Sequence, residues 1–198
     1  MVAAREAVDD AERIAQKIPF PVAVKALPER ADHKTELGLL RLNVGSPQDA
    51  IEAARELRDR LADPQAPILA QEMIAGGVEV VLSLIRDADF GPVLALGSGG
   101  VLVELAADVG YLSVPADERE VRALLESLRV GRMLTGYRGG APADVDALVD
   151  ATLRLSELFI GLDVAELEIN PLIVLPRGEG VVALDLLLRA SAAAPALD

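Results

Sequence analysis

The chain has 198 residues, a net charge of −13 and 52% hydrophobic against 26% charged residues, a balance that describes a folded globular protein with material for a substantial core. That acidity, an aromatic content of 3% and the lack of a basic stripe argue against nucleic acid as a partner. Cysteine is absent and histidine occurs once, which excludes disulfides and multi-histidine metal sites; no apolar run nears the roughly 20 residues of a membrane helix and no signal peptide follows Met1, so a cytoplasmic location is expected.

Apolar residues at Ala3, Ala7, Ala11, Ile14, Ala15 and Ile18 have helical spacing and predict a helix over 3–18, stopped by Pro19-Phe20-Pro21. Val22 to Leu27 predicts a strand, and residues 28–40, with Pro28 and Gly38, a polar loop. Ser46-Pro47 is an N-cap and first-turn signal for a helix through Leu61, whose buried stripe is Ile51, Ala54, Leu57 and Leu61. Strands are predicted at about 67–74, 77–86 and 92–97, separated by Gly76-Gly77 and by the turn from Asp87 to Gly91; such close spacing implies antiparallel sheet. After Gly97-Ser98-Gly99-Gly100 an apolar segment resumes at Val101. Helices follow at about 117–130 and 143–160, flanking an irregular stretch from Gly131 to Gly140, and Ala190 to Asp198 reads as a frayed end or linker. This order of mixed sheet and helices predicts an α+β fold. No strand precedes the first helix, from which we expect the chain to begin inside a larger protein.

Between these helices and the tail lies the segment richest in chemistry. Glu166 to Leu172 and Val181 to Asp185 predict the two strands of a hairpin, with Arg177-Gly178-Glu179-Gly180 as the turn. A turn centred between Gly178 and Glu179 sets Asn170 opposite Leu187 and diagonally next to Asp185, so that the oxygens of Glu168, Asn170 and Asp185 share one face. A slip of one residue would send Asp185 to the other face. Hard oxygen ligands on rigid strands suit Mg²⁺, which takes one or two protein ligands and completes its shell with water and phosphate. This end of the chain therefore reads as a place to hold Mg-nucleotide, although Asn-Pro also occurs in ordinary turns.

Several segments taken together resemble the ATP-grasp part of ADP-forming acyl-CoA synthetases, the acetate–CoA ligase beta part, and are similar to the succinyl-CoA synthetase beta subunit. They are Pro21 to Lys25, Asp32 to Glu36, Arg41 to Val44, Gln71 to Ile74 with Gly76 to Glu79, Phe90 to Val93 with Gly97 to Gly100 and Val103-Glu104, Leu134 to Gly139, and the closing Glu166 to Leu172 with Ala183 to Asp185. The match runs in order from about residue 5 to 189. It implies two small lobes, each with mainly antiparallel sheet flanked by helices: residues 1–70, 71–189, and a tail or linker over 190–198. It implies the cofactors ATP and Mg²⁺, phosphoryl transfer between MgATP and a histidine, and the overall reaction of an acid, CoA and ATP to acyl-CoA, ADP and phosphate. It also implies a partner, a CoA-binding or CoA-ligase domain or an alpha subunit.

By the same resemblance Lys25 contacts the ATP phosphates, Glu72, Met73 and Ile74 hold the adenine, Glu79 accepts from the ribose hydroxyls, Asn170 and Asp185 bind the metal, and His33 relays the phosphoryl group. Each residue also has a plainer reading. Lys25 ends an apolar strand and could reach solvent, Met73 and Ile74 suit a core, Glu79 suits a half-exposed sheet, and a lone loop histidine suits the surface. Gly97 to Gly100 could turn backbone N–H groups towards a phosphate or serve as a flexible turn. The chain departs from the family in three places: no lysine stands in Leu105-Ala106-Ala107-Asp108, Leu112 occupies a position where arginine is common, and the loop Leu37-Gly38-Leu39-Leu40 lacks the expected glycine pair. These departures leave an alternative, a degenerate ATP-grasp domain serving as a regulatory or scaffolding module in a larger fusion.

Overall fold

The computed structural model describes residues 5–7, 17–27, 38–100 and 107–191. The chain divides into two compact units, one over Ala3–Ala75 and one built on Gly76–Asp198. Neighbouring strands are antiparallel throughout both sheets.

The first unit is a four-stranded sheet in the order β1-β4-β2-β3 with one helix, α1 (Pro47–Leu61). Its strands are β1 (Arg5–Ala7), β2 (Val22–Ala26), β3 (Leu40–Val44) and β4 (Ile68–Glu72). Alternation sends Val22, Val24, Ala26, Ile68 and Ala70 into one apolar cluster, where they meet Ala50, Ala53, Ala54 and Leu57 of α1. The helix starts where expected, with the Ser46 hydroxyl accepting from the Asp49 N–H at 3.2 Å and Pro47 inside the first turn.

The predicted helix over 3–18 is corrected at its start. Arg5, Glu6 and Ala7 form a strand, opposite Gln71, Ala70 and Leu69 of β4. A short helix stabilised mainly by alanine propensity is marginal, whereas the open edge of β4 offers a ladder of backbone hydrogen bonds, and tertiary pairing prevails. Lys17 is helical; the intervening residues 8–16 lie outside those described, as do residues 28–37 of the predicted loop.

The second unit carries a six-stranded sheet in the order β10-β8-β5-β6-β7, with β9 also paired to β8. The strands are β5 (Val78–Asp87), β6 (Gly91–Ser98), β7 (Val109–Ser113), β8 (Val164–Val174), β9 (Val181–Ala183) and β10 (Leu186–Ala190); the helices are α2 (Glu118–Ser127), α3 (Arg129–Leu134) and α4 (Val145–Gly161). Val80, Leu82, Leu84, Leu94, Leu96, Leu167 and Ile169 line one sheet face and pack on Val121, Leu125, Leu134, Leu148 and Phe159 of the helices. The opposite face presents Glu79, Val81 and Ser83 of β5 with Glu168 and Asn170 of β8. Among the described residues no helix is long and apolar enough to cross a membrane.

Two differences from the sequence reading have local causes. The helix predicted over 117–130 is two helices, because Leu128 is extended and the chain restarts at Arg129. The buried Asp108 carboxylate sets that restart: it accepts from the N–H groups of Arg129 and Val130, each at 2.8 Å, and from the Ser98 hydroxyl at 2.8 Å. Leu186–Ala190, beyond the second strand of the predicted hairpin, also forms an edge strand on β8.

Asp144 joins two elements. Its carboxylate caps α4 through the Ala147 N–H at 3.2 Å and also accepts from Gly178 and Gly180 N–H at 2.9 Å each, holding the hairpin turn. These contacts keep its pKa below the ordinary carboxylate value: the Gly180 N–H acts most strongly, burial opposes it, and Ala147, Gly178 and the Arg177 charge add to the lowering. For Asp108 burial is the largest influence and pushes the value up, but the Arg129 N–H, the Ser98 hydroxyl, the Val130 N–H and the Arg129 charge together bring it below. A lowered folded-state pKa means stability that is present above the unfolded value of about 3.9 and is lost as pH falls through the folded value. Asp144→Ala, which orphans three N–H groups, should cost about 1–3 kcal/mol at pH 7. In urea melts that deficit should shrink as pH drops below about 4.

Candidate functional site

The hairpin register differs from the expected one in a way that sets the two expected metal ligands opposite each other. Leu172 lies opposite Ala183 and Ile169 opposite Leu186, so Asn170 faces Asp185 directly and not Leu187. The Asn170 N–H donates to the Asp185 carbonyl at 3.3 Å. The cause is the turn, which is built on Pro176 to Glu179, with the Glu179 N–H on the Pro176 carbonyl at 2.9 Å. Its third position is Gly178 at φ 89°, the left-handed site that a type II turn requires. The centre therefore falls between Arg177 and Gly178. The sum of paired residue numbers changes by two, so the shared face survives.

On its other side β8 is bulged. Leu172 pairs with Val80 but Ile169 with Leu82, so Asn170 and Pro171 together oppose Val81. A proline has no N–H for the ladder, and a bulge is where a strand tolerates it. The extra residue shifts the alternation, so that Leu167 and Ile169 before it and Leu172 and Val174 after it all face the core. Asn170 is thus set at a break in the sheet, with its side chain on the face away from the helices.

The glycine run meets this pair. Asn170 Oδ1 accepts from the Gly100 N–H at 3.1 Å, and the Gly99 N–H donates to the Glu79 carbonyl at 2.9 Å. The first bond fixes the amide orientation and leaves the oxygen with a second lone pair. Gly100 has φ 62°, and a Cβ there would overlap the Glu79 carboxylate. Glu79, Gly99, Gly100, Asn170 and Asp185 therefore form one constellation in the second unit. An amide oxygen and a carboxylate on facing residues fit a divalent cation that takes most of its shell from water and phosphate. Among the described residues no group of three His, Cys, Asp or Glu could cage a metal, so the donor set is an open one. Gly100→Ala should displace Glu79 and break the Asn170 contact. We expect nucleotide affinity to fall about tenfold by titration calorimetry, with a left-handed alanine costing about 1–2 kcal/mol in thermal melts.

The remaining expected residues belong to the first unit. Lys25 lies on β2 opposite Leu69 and Leu40, is only 5% exposed, and shares with Ala23 and Gln71 the sheet face away from α1. Glu72 ends β4, Met73 and Ile74 follow it, and all three are half-buried. Val22 pairs with Glu72, so Lys25 stands three residues along the sheet from that segment, about 10 Å away. His33 lies outside the described residues. Asp108 is a residue the sequence reading missed in this role: through Ser98 it anchors the glycine run to α3. Its only signal in the sequence is an acidic residue closing an apolar segment. Two cavities, of about 440 and 280 Å³, lie along α2 and beside Thr135 and Arg177; neither is lined by Glu79, Asn170 or Asp185.

Comparison with known proteins bears on the family and the fold. A family model described as an ATP-grasp domain matches residues 2–189. Acetate–CoA ligase [ADP-forming] I of Archaeoglobus fulgidus is 37% identical over 181 residues, which is 88% of this chain and 26% of the relative. Acetate–CoA ligase [ADP-forming] II subunit beta of Pyrococcus furiosus is 32% identical over 185 residues, covering 90% of this chain and 78% of the subunit. The chain thus spans about a quarter of the first relative and most of the second. Among solved structures, the dinucleotide-forming acetyl-coenzyme A synthetase 1 of Ca. Korarchaeum cryptofilum superposes with a TM-score of 0.80 at 29% identity, covering 96% of this chain and 85% of that one. That protein is in complex with coenzyme A and Mg-AMPPCP, its phosphohistidine segment pointing towards the nucleotide-binding site.

Proposed function

The chain belongs to the ATP-grasp domain family, and from that premise we propose that it is the nucleotide-binding domain of an ADP-forming acyl-CoA synthetase, acting in the cytoplasm with a CoA-binding domain or alpha subunit as partner. The observation that carries this reading is the constellation of Glu79, Gly100, Asn170 and Asp185, in which one amide oxygen is oriented by a glycine N–H and faces a carboxylate. Asn170 and Asp185 would hold Mg²⁺, which would supply positive charge against the negative charge that develops on the phosphates. Lys25 supplies an ammonium to the phosphates, Glu79 accepts from the ribose, and Glu72, Met73 and Ile74 take the adenine. In the transfer step the bond from the γ-phosphorus to the bridging oxygen breaks, a phosphorus–nitrogen bond to a histidine forms, and ADP leaves with the electron pair; His33 is assigned as a relay for that group. The partner carries the acyl and CoA chemistry.

The alternative of a degenerate domain loses one of its grounds. Leu112 pairs with Leu94 and packs on the helix-covered core, so its apolar side chain takes no cation from the face that holds Asn170. The missing lysine still stands: Ala107 is exposed and next to Asp108. Titration calorimetry with MgATP decides between them. Heat at sub-millimolar nucleotide that EDTA abolishes supports the enzyme domain; no heat at millimolar MgATP leaves the regulatory module as the better account.

A further inference from the structure

Three successive backbone donors at the end of β6 are all spent inside the second unit. The Ser98 N–H donates to the Asp108 carbonyl at 2.9 Å, the Gly99 N–H to the Glu79 carbonyl at 2.9 Å, and the Gly100 N–H to Asn170 Oδ1 at 3.1 Å. Gly99 is pressed against β5, where a Cβ would lie 2.6 Å from the Val80 carbonyl carbon. A phosphate cradle needs N–H groups turned outwards, so this run serves another purpose.

Ser98 is the point from which the run is held. It is 5% exposed and Asp108 7% exposed. A buried carboxylate demands donors, and the N–H groups of Arg129 and Val130 already supply one to each oxygen of Asp108. The Ser98 hydroxyl adds a third at 2.8 Å, which the start of α3 does not require. With the backbone bond it gives Ser98 two links to one residue, so Ser98 shifts only if both are broken. Two residues further on, the Gly100 N–H meets the amide oxygen assigned to the cation. A continuous path thus runs from the first residues of α3 through Asp108, Ser98 and the glycines to Asn170.

We propose that Ser98 is a positioning residue for the cation site: locked to Asp108 by its hydroxyl, it holds the Gly100 N–H where that group fixes the Asn170 amide oxygen for a divalent cation shared with Asp185. This rests on the nucleotide-binding reading above. Losing the partner that orients a metal ligand weakens metal affinity about ten- to a hundredfold. Ser98 acts two residues away from that partner, and a smaller loss follows.

The test is calorimetric titration of the full chain with ATP, once in Mg²⁺ and once in EDTA, for wild type, S98A, S98T, N170A and the S98A/N170A double variant. S98A should weaken binding about three- to tenfold in Mg²⁺ and less than about twofold in EDTA. S98T keeps the hydroxyl and should restore the value in Mg²⁺. In the N170A background S98A should change affinity less than about twofold in either condition. Asp108 keeps both N–H donors in S98A, so circular dichroism should show the native fold. If it does not, S98C, which keeps the volume and donates weakly, replaces it and should shift affinity in the same direction. The inference is overturned if S98A binds as wild type does in Mg²⁺, if its loss is equal in Mg²⁺ and EDTA, as a phosphate cradle or a general loosening would give, if S98T does not restore it, or if it persists without Asn170. Wild-type chain that takes up no ATP in either condition overturns the nucleotide reading and this inference together, whereas weakened magnesium binding in D185A beside full retention in S98A overturns the role of Ser98 alone.

Discussion

Asp185→Ala should abolish the magnesium dependence of nucleotide binding while the chain stays folded. Asp185 sits between β9 and β10, opposite Asn170 in the strand register. Its backbone carbonyl, which accepts from the Asn170 N–H at 3.3 Å, is untouched by the change, so the hairpin register should persist. Loss of a charged oxygen ligand is worth about 1.5–3 kcal/mol, which is about 10- to 100-fold in affinity for Mg-nucleotide. Asp185→Asn keeps the shape and removes the charge, and should fall between alanine and wild type. Calorimetric titrations with and without EDTA read the effect, with circular dichroism to check the fold. Equal magnesium response in wild type and Asp185→Ala would remove this residue from the metal site.

Arg86→Ala should produce the largest stability loss of any single substitution on the rim of the second unit. The guanidinium closes the carboxyl end of α4. Nε donates to the Val164 carbonyl at 3.0 Å, and Nη2 fans over the carbonyls of Phe159, Ile160 and Leu162 at 3.0, 3.2 and 2.7 Å. The Ile160 and Leu162 carbonyls are acceptors left over at the end of α4, the Phe159 carbonyl also accepts from the Leu162 N–H at 3.3 Å, and the positive charge opposes the negative pole of the helix. The same group lies 5.0 Å from the centre of the Phe159 ring. Removing it uncovers four carbonyls and one aromatic face, for about 2–4 kcal/mol. In a protein of this length that is roughly 5–15 °C in Tm for the second unit. Arg86→Lys can reach fewer carbonyls from a point charge and should recover less than half. The loss should appear in the melting of the second unit, and nucleotide affinity at low temperature should be little changed, since Arg86 lies on the far side of β5 from Asn170 in sequence and register.

How much of this was legible beforehand depends on where the determining contact lies. The helix from Pro47 was readable because Ser46 and Pro47 carry the start signal in adjacent residues. The strands of the β5–β6 hairpin were readable because their turn lies between them and their alternation is intact. Arg5 to Ala7 was misread because the evidence for a strand is β4, more than sixty residues away. The break at Leu128 was invisible because Asp108, which causes it, is twenty residues upstream. For the site, the shared face of Asn170 and Asp185 followed from strand periodicity alone, but their direct opposition did not. It depends on which of several turn residues adopts the left-handed conformation, and the run Arg177 to Gly180 contains two glycines that both can.

The triple grip of Asp144 has a consequence for how this family member can change over time. Hairpin tips are ordinarily the places where a chain accepts insertions most easily. Here the tip from Gly178 to Gly180 is tethered by a carboxylate that also starts α4. An added residue would pull two amides off that carboxylate and move Asp185 off Asn170 at the same time. An outwardly ordinary surface loop is thereby frozen in length, because the opposition of Asn170 and Asp185 depends on it.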